Sequence, residues 1–305
     1  MSTPGWAAGL GPFLIAHDRG YFKEEGIDIE FVEAGGGVAT PALISDSLDI
    51  SLSGSTAINA ILKGAELRLI YVAADRTPYQ LWATQPELKT LADLKGKVVG
   101  VASRGDTFEI AMRRALRGAG MSPDDVGYAA VGFGGGGSHR AVLQSGSLPA
   151  IVMTSFDVES LRSTDALGRS HMIQDFAKTI RMPYRGVATS ARLLKGKPSV
   201  VRGFLKASLK GQRFMVAFKD ASISVLERYS KNKNTSTIAS DYATTLPTLT
   251  ADGTMPDEIA RADLEERAGI TNLSGGAPPV AAVYDFAPLR AVISELDTSG
   301  WKPSP

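Results

Sequence analysis

Short runs of Ser, Gly and Thr lie where buried strands give way to helices, and turns of this kind bind small polar groups. An apolar-rich strand pattern covers residues 49–52, and a helix pattern follows from Thr56. The turn between them supplies four candidate ligand-binding residues, Ser53, Gly54, Ser55 and Thr56. Their hydroxyls and free N–H groups suit a carboxylate, sulfonate or amide oxygen. An ordinary helix N-cap is the alternative, and both roles can hold at once.

A second polar turn follows residues 97–102, an almost entirely apolar run that predicts a strand buried on both faces. The candidate ligand contacts of this turn are Ser103, Arg104 and Thr107. Asp106 forms a capping pattern with Glu109, and the Asp106 carboxylate disfavours an anion beside it. The arginine and the threonine are therefore the preferred contacts. A helix follows, with Glu109 on its polar face, until glycines end it near residue 120.

The run GFGGGG at residues 132–137 has the composition of a dinucleotide-binding loop. No acidic residue ends a following strand about 20 residues on, as that kind of site requires. A loop that allows close backbone approach, or a flexible one, explains the glycines better. Gly135 is included among the candidate ligand contacts.

Composition argues against several other kinds of site. The chain has no cysteine, which excludes disulfides, thiolate metal sites and cysteine nucleophiles. Its three histidines have no metal-ligand spacing, so we expect neither a metal nor a cofactor. The formal net charge is +1 over 305 residues and the basic residues are scattered, which argues against nucleic-acid binding. No apolar run approaches the roughly 20 residues of a membrane helix.

The polar turns belong to a pattern of elements that recurs later in the chain. The glycines at residues 35–37 correspond to those at 135–137, and Ser55 corresponds to Ser155. Thr154 and Ser155 thereby become further candidate ligand contacts. We interpret the repeat as two lobes, each a small α/β sheet, and chance recurrence of small residues is the alternative.

The repeat also predicts a first strand for lobe one, upstream of Ser2. We therefore expect that Met1 is not the natural mature start of the protein. A strand and an export signal are expected to precede it.

Three segments together resemble one family. They are GPFLIAHDRGYFKEEGIDIEF at residues 11–31, LADLKGKVVGVASRGDTFEIAMRRALRGAGMSPDDV at 91–126, and ARLLKGKPSVVRGFLKASLKG at 191–211. They resemble the periplasmic solute-binding proteins of ABC importers for nitrate, sulfonates, taurine, bicarbonate and thiamine precursors. The resemblance covers residues 10 to 220. It departs at residues 146–150, where the Asp of the family's Gly-x-x-Asp-Ala pattern is absent.

The resemblance implies an α/β, two-lobed fold of the type II periplasmic-binding-protein kind. Its mixed, mostly parallel sheets are flanked by helices, and two hinge crossings join the lobes. Lobe one is expected to comprise residues 1–78 plus 188–305, including a helical C-terminal region, and lobe two residues 79–187. The ligand is expected in the interlobe cleft, which closes on binding.

Three further candidate ligand contacts follow from this arrangement. Arg76 and Arg185 fall in the expected crossings, at residues 75–82 and 181–188, where a guanidinium can anchor a planar anion. A surface ion pair is the alternative for each of them. Trp6 lies in a loop that faces the cleft in the family, where its ring would suit a flat or apolar ligand. Packing against the N-terminal helix is the alternative for the tryptophan.

The implied function is capture of a small anionic organic solute, of the sulfonate or aromatic or organic carboxylate class, for the membrane permease of an ABC importer. The protein is expected to be a monomer in the periplasm, or lipid-anchored outside the cell. One alternative is an enzyme resembling thiamine-pyrimidine synthases, whose family motif is rich in the cysteine that this chain lacks. The other alternative is the ligand-binding domain of a sensor.

Overall fold

The structure, a computed structural model, describes residues 1–3, 8–132, 137–230 and 235–305. The chain forms two compact units: unit 1 is Met1–Asp75 with Pro183–Pro305, and unit 2 is Arg76–Met182. Each unit contains a five-stranded sheet and its own helices. None of the described helices combines the length with the apolar composition that a bilayer span requires.

The strands of the described residues are, in chain order, β1 (Ser2–Thr3), β2 (Val32–Glu33), β3 (Ile50–Ser51), β4 (Leu67–Arg76), β5 (Tyr79–Ala83), β6 (Val98–Val101), β7 (Gly127–Ala130), β8 (Ala150–Thr154), β9 (His171–Asp175) and β10 (Arg181–Ser190). The helices are α1 (Gly11–Asp18), α2 (Tyr21–Glu24), α3 (Gly36–Ile44), α4 (Gly54–Ile61), α5 (Thr107–Gly118), α6 (Gly137–Ser145), α7 (Ser155–Arg162), α8 (Phe176–Thr179), α9 (Ala191–Gly196), α10 (Pro198–Ala217), α11 (Lys219–Tyr229), α12 (Thr235–Thr245), α13 (Asp257–Ile270) and α14 (Ala287–Thr298). Short 3-10 turns lie at Ala8–Leu10, Ala92–Leu94, Pro123–Asp125, Leu246–Thr248 and Val280–Ala282.

The sheet of unit 1 has the strand order β2-β1-β3-β10-β4. Strand β1 is parallel to both β2 and β3, so the carboxyl ends of these three strands share one edge. Strand β10 is antiparallel to β3, with Ala188 opposite Ser51. Because the two strands run in opposite directions, the residues just before Ala188 lie beside the turn that follows Ser51.

The core of unit 1 joins its N-terminal and C-terminal segments. Phe13 of α1 stacks on Phe204 of α10, with ring centroids 6.2 Å apart, and both rings are buried. Burying a phenylalanine side chain contributes roughly 1.5–3 kcal/mol. Helices α1 and α10 approach closely at Gly211, where an added Cβ would lie 2.0 Å from the Pro12 carbonyl oxygen. This contact requires glycine.

The sheet of unit 2 has the strand order β7-β6-β8-β5-β9. Strand β6 is parallel to both of its neighbours, and β5 is antiparallel to β8 and β9. The chain leaves unit 1 at the end of β4 and returns within β10. The boundaries expected from the sequence are 78/79 and 187/188.

The strand and helix predicted around residue 100 are confirmed as β6 and α5. Asp106 is the N-cap of α5, and its carboxylate accepts the N–H groups of Phe108 and Glu109. The prediction that Glu109 lies on the polar face is wrong, because its side chain is fully buried. Burial of this carboxylate is possible because three groups pair with it, at N···O distances of 2.8–3.0 Å: the N–H of Gly105 and the side chains of Arg104 and Arg113.

Two expectations for the start of the chain are also wrong. The sequence at residues 27–32 predicts a strand, whereas only Val32 and Glu33 pair, in β2. The first strand of the sheet is expected upstream of Ser2, yet β1 is Ser2–Thr3 itself, in the interior of the sheet and fully buried. A two-residue polar strand next to Pro and Gly carries no apolar alternation by which it can be recognised.

Candidate functional site

The turn between β3 and α4 in unit 1 is the first candidate site, and it lies against β10. A Cβ added at Gly54 would be 2.6 Å from the Cα of Gly186, so only glycine fits there without displacing the backbone of β10. Ser53 is the N-cap residue of α4, but its side chain makes no capping hydrogen bond. Its hydroxyl is buried and has no hydrogen-bond partner among the described residues. Since the first N–H groups of a helix have no intrahelical acceptor, this turn retains donor capacity.

Ser55 is held from the interior by Arg267 of α13, a residue that sequence analysis did not single out. The Arg267 side chain is almost fully buried and donates to the Ser55 hydroxyl at 3.1 Å and to the Ser55 carbonyl at 3.3 Å. It also donates to Asn59 at 2.8 Å and to the Asp263 carboxylate at 2.7 Å. This network fixes the first turn of α4. In the sequence, the local pattern that indicates this network is the spacing of four between Asp263 and Arg267, which places an acid and a base next to each other on one helix.

Thr56 is also engaged within unit 1. Its hydroxyl donates to the Ser53 carbonyl at 2.8 Å and lies 3.3 Å from the hydroxyl of Thr40 on α3. A Cβ added at Gly36 would overlap this threonine side chain. Thr56 therefore holds α3 against α4, and its ligand contact stays a prediction.

Arg185 lies next to this turn, in β10. Its φ of 54° is in the left-handed region that non-glycine residues rarely adopt, and such strain concentrates at functional sites. Its guanidinium carbon lies 4.8 Å from the centroid of the Tyr184 ring. Its Nε is buried, and no described residue accepts a hydrogen bond from it. The surface ion pair that was the alternative for Arg185 is not present among the described residues.

Asp241 of α12 is a second charged residue at this place that sequence analysis missed. Its carboxylate accepts the N–H of Ala8 at 2.8 Å. Burial raises the pKa of Asp241, against the lowering effects of the Ala8 N–H and of the Arg185 charge. The side chains of Arg185 and Asp241 are thus close enough to interact electrostatically.

The turn before α5 in unit 2 differs from the turn before α4. Asp106 accepts the N–H of Ser103 at 2.7 Å and the N–H of Phe108 at 2.9 Å. Burial raises the pKa of Asp106 in spite of these hydrogen bonds. The Thr107 hydroxyl lies 2.6 Å from the hydroxyl of Tyr79. The predicted cap is confirmed, and it places a carboxylate where an anion would otherwise accept the N–H groups of the helix.

Arg104 in the same turn is also engaged. Its Nε lies 3.0 Å from the Glu109 carboxylate, and it donates to the Tyr128 carbonyl at 3.1 Å. Ligand contacts by Ser103, Arg104 and Thr107 stay predictions.

The turn before α7 is closed by a capping box. The Thr154 hydroxyl and the Asp157 carboxylate each satisfy the backbone of the other residue, and the N–H of Ser155 donates to the Pro78 carbonyl at 2.7 Å. His139 of α6 is fully buried, 3.6 Å from the Asp157 carboxylate. Burial lowers the pKa of His139, and the Asp157 charge opposes this shift. Ligand contacts by Thr154 and Ser155 stay predictions.

The remaining candidates are placed as follows. Arg76 donates to the Ala177 carbonyl at 3.2 Å, within unit 2. Trp6 and Gly135 lie outside the described residues. Of the candidates, Gly54 and Arg185 are distant in sequence, and the structure places Gly54 against Gly186, the residue after Arg185. Within the described ranges no three His, Asp or Glu side chains cluster as metal ligands.

The model of the family described as "NMT1/THI5 like" matches residues 8–221. The riboflavin-binding protein RibY of Chloroflexus aurantiacus is 26% identical over an alignment of 209 residues, which covers 66% of this chain and 57% of RibY. The chain thus matches little more than half the length of that relative.

Solved structures resemble most of the chain. A putative sulfonate-binding protein SsuA from Methylobacillus flagellatus superposes with a TM-score of 0.75 at 19% identity, covering 96% of this chain and 92% of the other. The aliphatic sulphonate-binding protein SsuA of Escherichia coli gives a TM-score of 0.71 at 20% identity, covering 92% and 90%. The chain therefore has the periplasmic-binding-protein fold, with two mixed sheets flanked by helices. With its family model matched over most of its length, the chain belongs to the NMT1/THI5-like family.

Proposed function

We propose that the chain is a solute-binding protein that captures a small organic solute and delivers it to the membrane permease of an ABC importer. The proposed solute is an organic anion, either a sulfonate or an aromatic or other organic carboxylate. The protein acts by binding and without catalysis. Its proposed location is the periplasm, or the outside of the cell on a lipid anchor, and its proposed state is a monomer.

The observation that carries this proposal is the position of Arg185 beside the first turn of α4. Gly186 is in van der Waals contact with Gly54, so the residue before it lies near the N-terminus of that helix. The Nε–H of Arg185 has no acceptor among the described residues. A guanidinium and the N–H groups of a helix N-terminus both donate charge-assisted hydrogen bonds to an anionic oxygen.

The relatives support an organic solute. RibY is named for riboflavin, which carries an aromatic ring system, and the two SsuA proteins are named for sulfonates. The strained backbone of Arg185 supports a binding role for this residue, because strain of this kind persists where function requires it.

A thermal-shift screen of the purified protein tests the proposal. The panel contains nitrate, bicarbonate, alkyl and aryl sulfonates, aromatic carboxylates, thiamine precursors and riboflavin. A ligand at 100 times its dissociation constant adds about 2.7 kcal/mol to the free energy of unfolding. For a chain of this size the expected rise in Tm is a few degrees. A panel in which no solute raises the Tm contradicts the proposal.

The role of Arg185 is tested by calorimetric titration of the best solute into Arg185→Gln. A hydrogen bond to a charged group contributes about 1.5–3 kcal/mol, so we expect Kd to rise roughly ten- to hundred-fold. Arg290→Gln, on the exposed side of α14, removes the same charge elsewhere in unit 1 and serves as the control. An unchanged Kd in Arg185→Gln overturns the assignment of this site.

A further inference from the structure

Two side chains of opposite charge contact consecutive residues of unit 1. The Asp241 carboxylate accepts the N–H of Ala8 at 2.8 Å. At the next residue, Gly9, an added Cβ would lie 2.9 Å from the Nε of Arg185. The carboxylate and the guanidinium therefore lie near consecutive residues of the 3-10 turn Ala8–Leu10.

Both groups have hydrogen-bonding capacity left. A carboxylate offers about four acceptor positions, and one of those of Asp241 is taken by the Ala8 N–H. A guanidinium has five N–H donors, and the buried Nε–H of Arg185 has no acceptor among the described residues. Packing over the Tyr184 ring restricts the orientation of this guanidinium.

We infer that the solute carries a hydrogen-bond donor next to its acidic or carbonyl oxygen. The donor bonds to the Asp241 carboxylate, and the oxygen accepts a hydrogen bond from Arg185. This inference rests on the proposed function and narrows its solute class. The chemistry that fits is amphoteric: an aminosulfonate, an amino-substituted aromatic carboxylate, or a ring imide with adjacent C=O and N–H groups.

The physical reason is the repulsion between the Asp241 carboxylate and any second negative charge placed beside it. An anion that lacks a donor brings a second negative charge towards a partly buried carboxylate, and like charges at close range disfavour each other. A solute with a donor converts that repulsion into a hydrogen bond. The site therefore discriminates between solutes with and without a donor in two ways: it attracts the donor and repels an anion that lacks one.

Matched pairs of probes test this inference by calorimetric titration. The first pair is taurine and ethanesulfonate, and the second is anthranilate and benzoate. Within each pair only the first member has an amino group. A site built to bond a donor rejects the analogue that lacks it, so the amino compound of the better-bound pair is expected to bind at least about tenfold tighter.

Asp241→Asn tests the contribution of the Asp241 negative charge by itself. An asparagine keeps a carbonyl oxygen for the Ala8 N–H but removes the negative charge, so the preference within the pair is expected to fall to about threefold or less. Asp297→Asn removes a charge of the same sign from an exposed ion pair with Arg213 and is expected to keep the full preference. The thermal unfolding of both variants is recorded beside the titrations.

Each contrary result is distinct. Equal or tighter binding of the donor-free member to the native protein overturns the inference without any variant, while the proposed function stands. A preference that Asp241→Asn leaves unchanged overturns the role of this carboxylate. If neither the broad panel nor these four probes bind, the proposed function fails, and this inference fails with it.

Discussion

Gly54 and Gly186 contact each other backbone to backbone, although one begins helix α4 and the other lies in strand β10. A Cβ added at Gly54 would lie 2.6 Å from the Cα of Gly186 and 2.7 Å from its carbonyl oxygen. The antiparallel pairing of β10 with β3, with Ala188 opposite Ser51, produces this approach. The contact puts Arg185 next to the first turn of α4, and the proposed solute site depends on it.

Gly54→Ala is expected to destabilise the protein and weaken solute binding. The new methyl group meets backbone atoms that cannot rotate away, and overpacking of this kind costs about 1–3 kcal/mol. Urea unfolding measures the loss. Gly37→Ala, in α3, is the control because an added Cβ there meets nothing within 4 Å, and alanine is a better helix former. Equal unfolding midpoints for the two variants would contradict the observed contact.

Arg267→Met is expected to cost about 3–5 kcal/mol of stability, because it leaves the Asp263 carboxylate buried without its cation. It also releases Ser55, so Kd for the solute is expected to rise further than in Ser55→Ala alone. Denaturant unfolding and calorimetric titration measure the two effects.

Arg202→Met is the matched control for the buried arginine. Arg202 pairs with Glu295 while half exposed, and exposed pairs contribute only about 0–1 kcal/mol. Similar losses of stability in the two variants would show that burial of Arg267 does not matter energetically.

His139 is expected to make stability depend on pH below neutrality. Burial lowers the pKa of His139 in the folded protein below its value of about 6.5 in the unfolded chain. The unfolded chain then binds more protons, so this contribution to stability is present above about pH 6.5 and is lost as the pH falls through the lowered pKa. His139→Leu removes this group, so its stability should fall less steeply between about pH 7 and 5.

Denaturant unfolding at a series of pH values checks the His139 prediction. The comparison uses slopes with pH, because a change in packing shifts the leucine variant by a constant amount. Parallel curves for the native protein and the variant would show that His139 does not titrate differently on folding.

Local elements of unit 2 could be predicted from the sequence. The apolar run that forms β6 and the cap at Asp106 are signals between near neighbours, and both are confirmed. Glu109 was placed on the wrong face because helical spacing cannot show that three donors gather around its carboxylate. Strand β1 was missed because two polar residues carry no periodicity.

The sequence by itself determined the α/β class, the polar turns after buried strands and the family resemblance, because these depend on neighbouring residues. Only the tertiary structure decided which distant residues lie beside these turns. Gly186 of β10 contacts Gly54 at the start of α4. Arg267 holds Ser55 across 212 positions of sequence. A contact over that distance depends on how helices and strands pack, which no local pattern encodes.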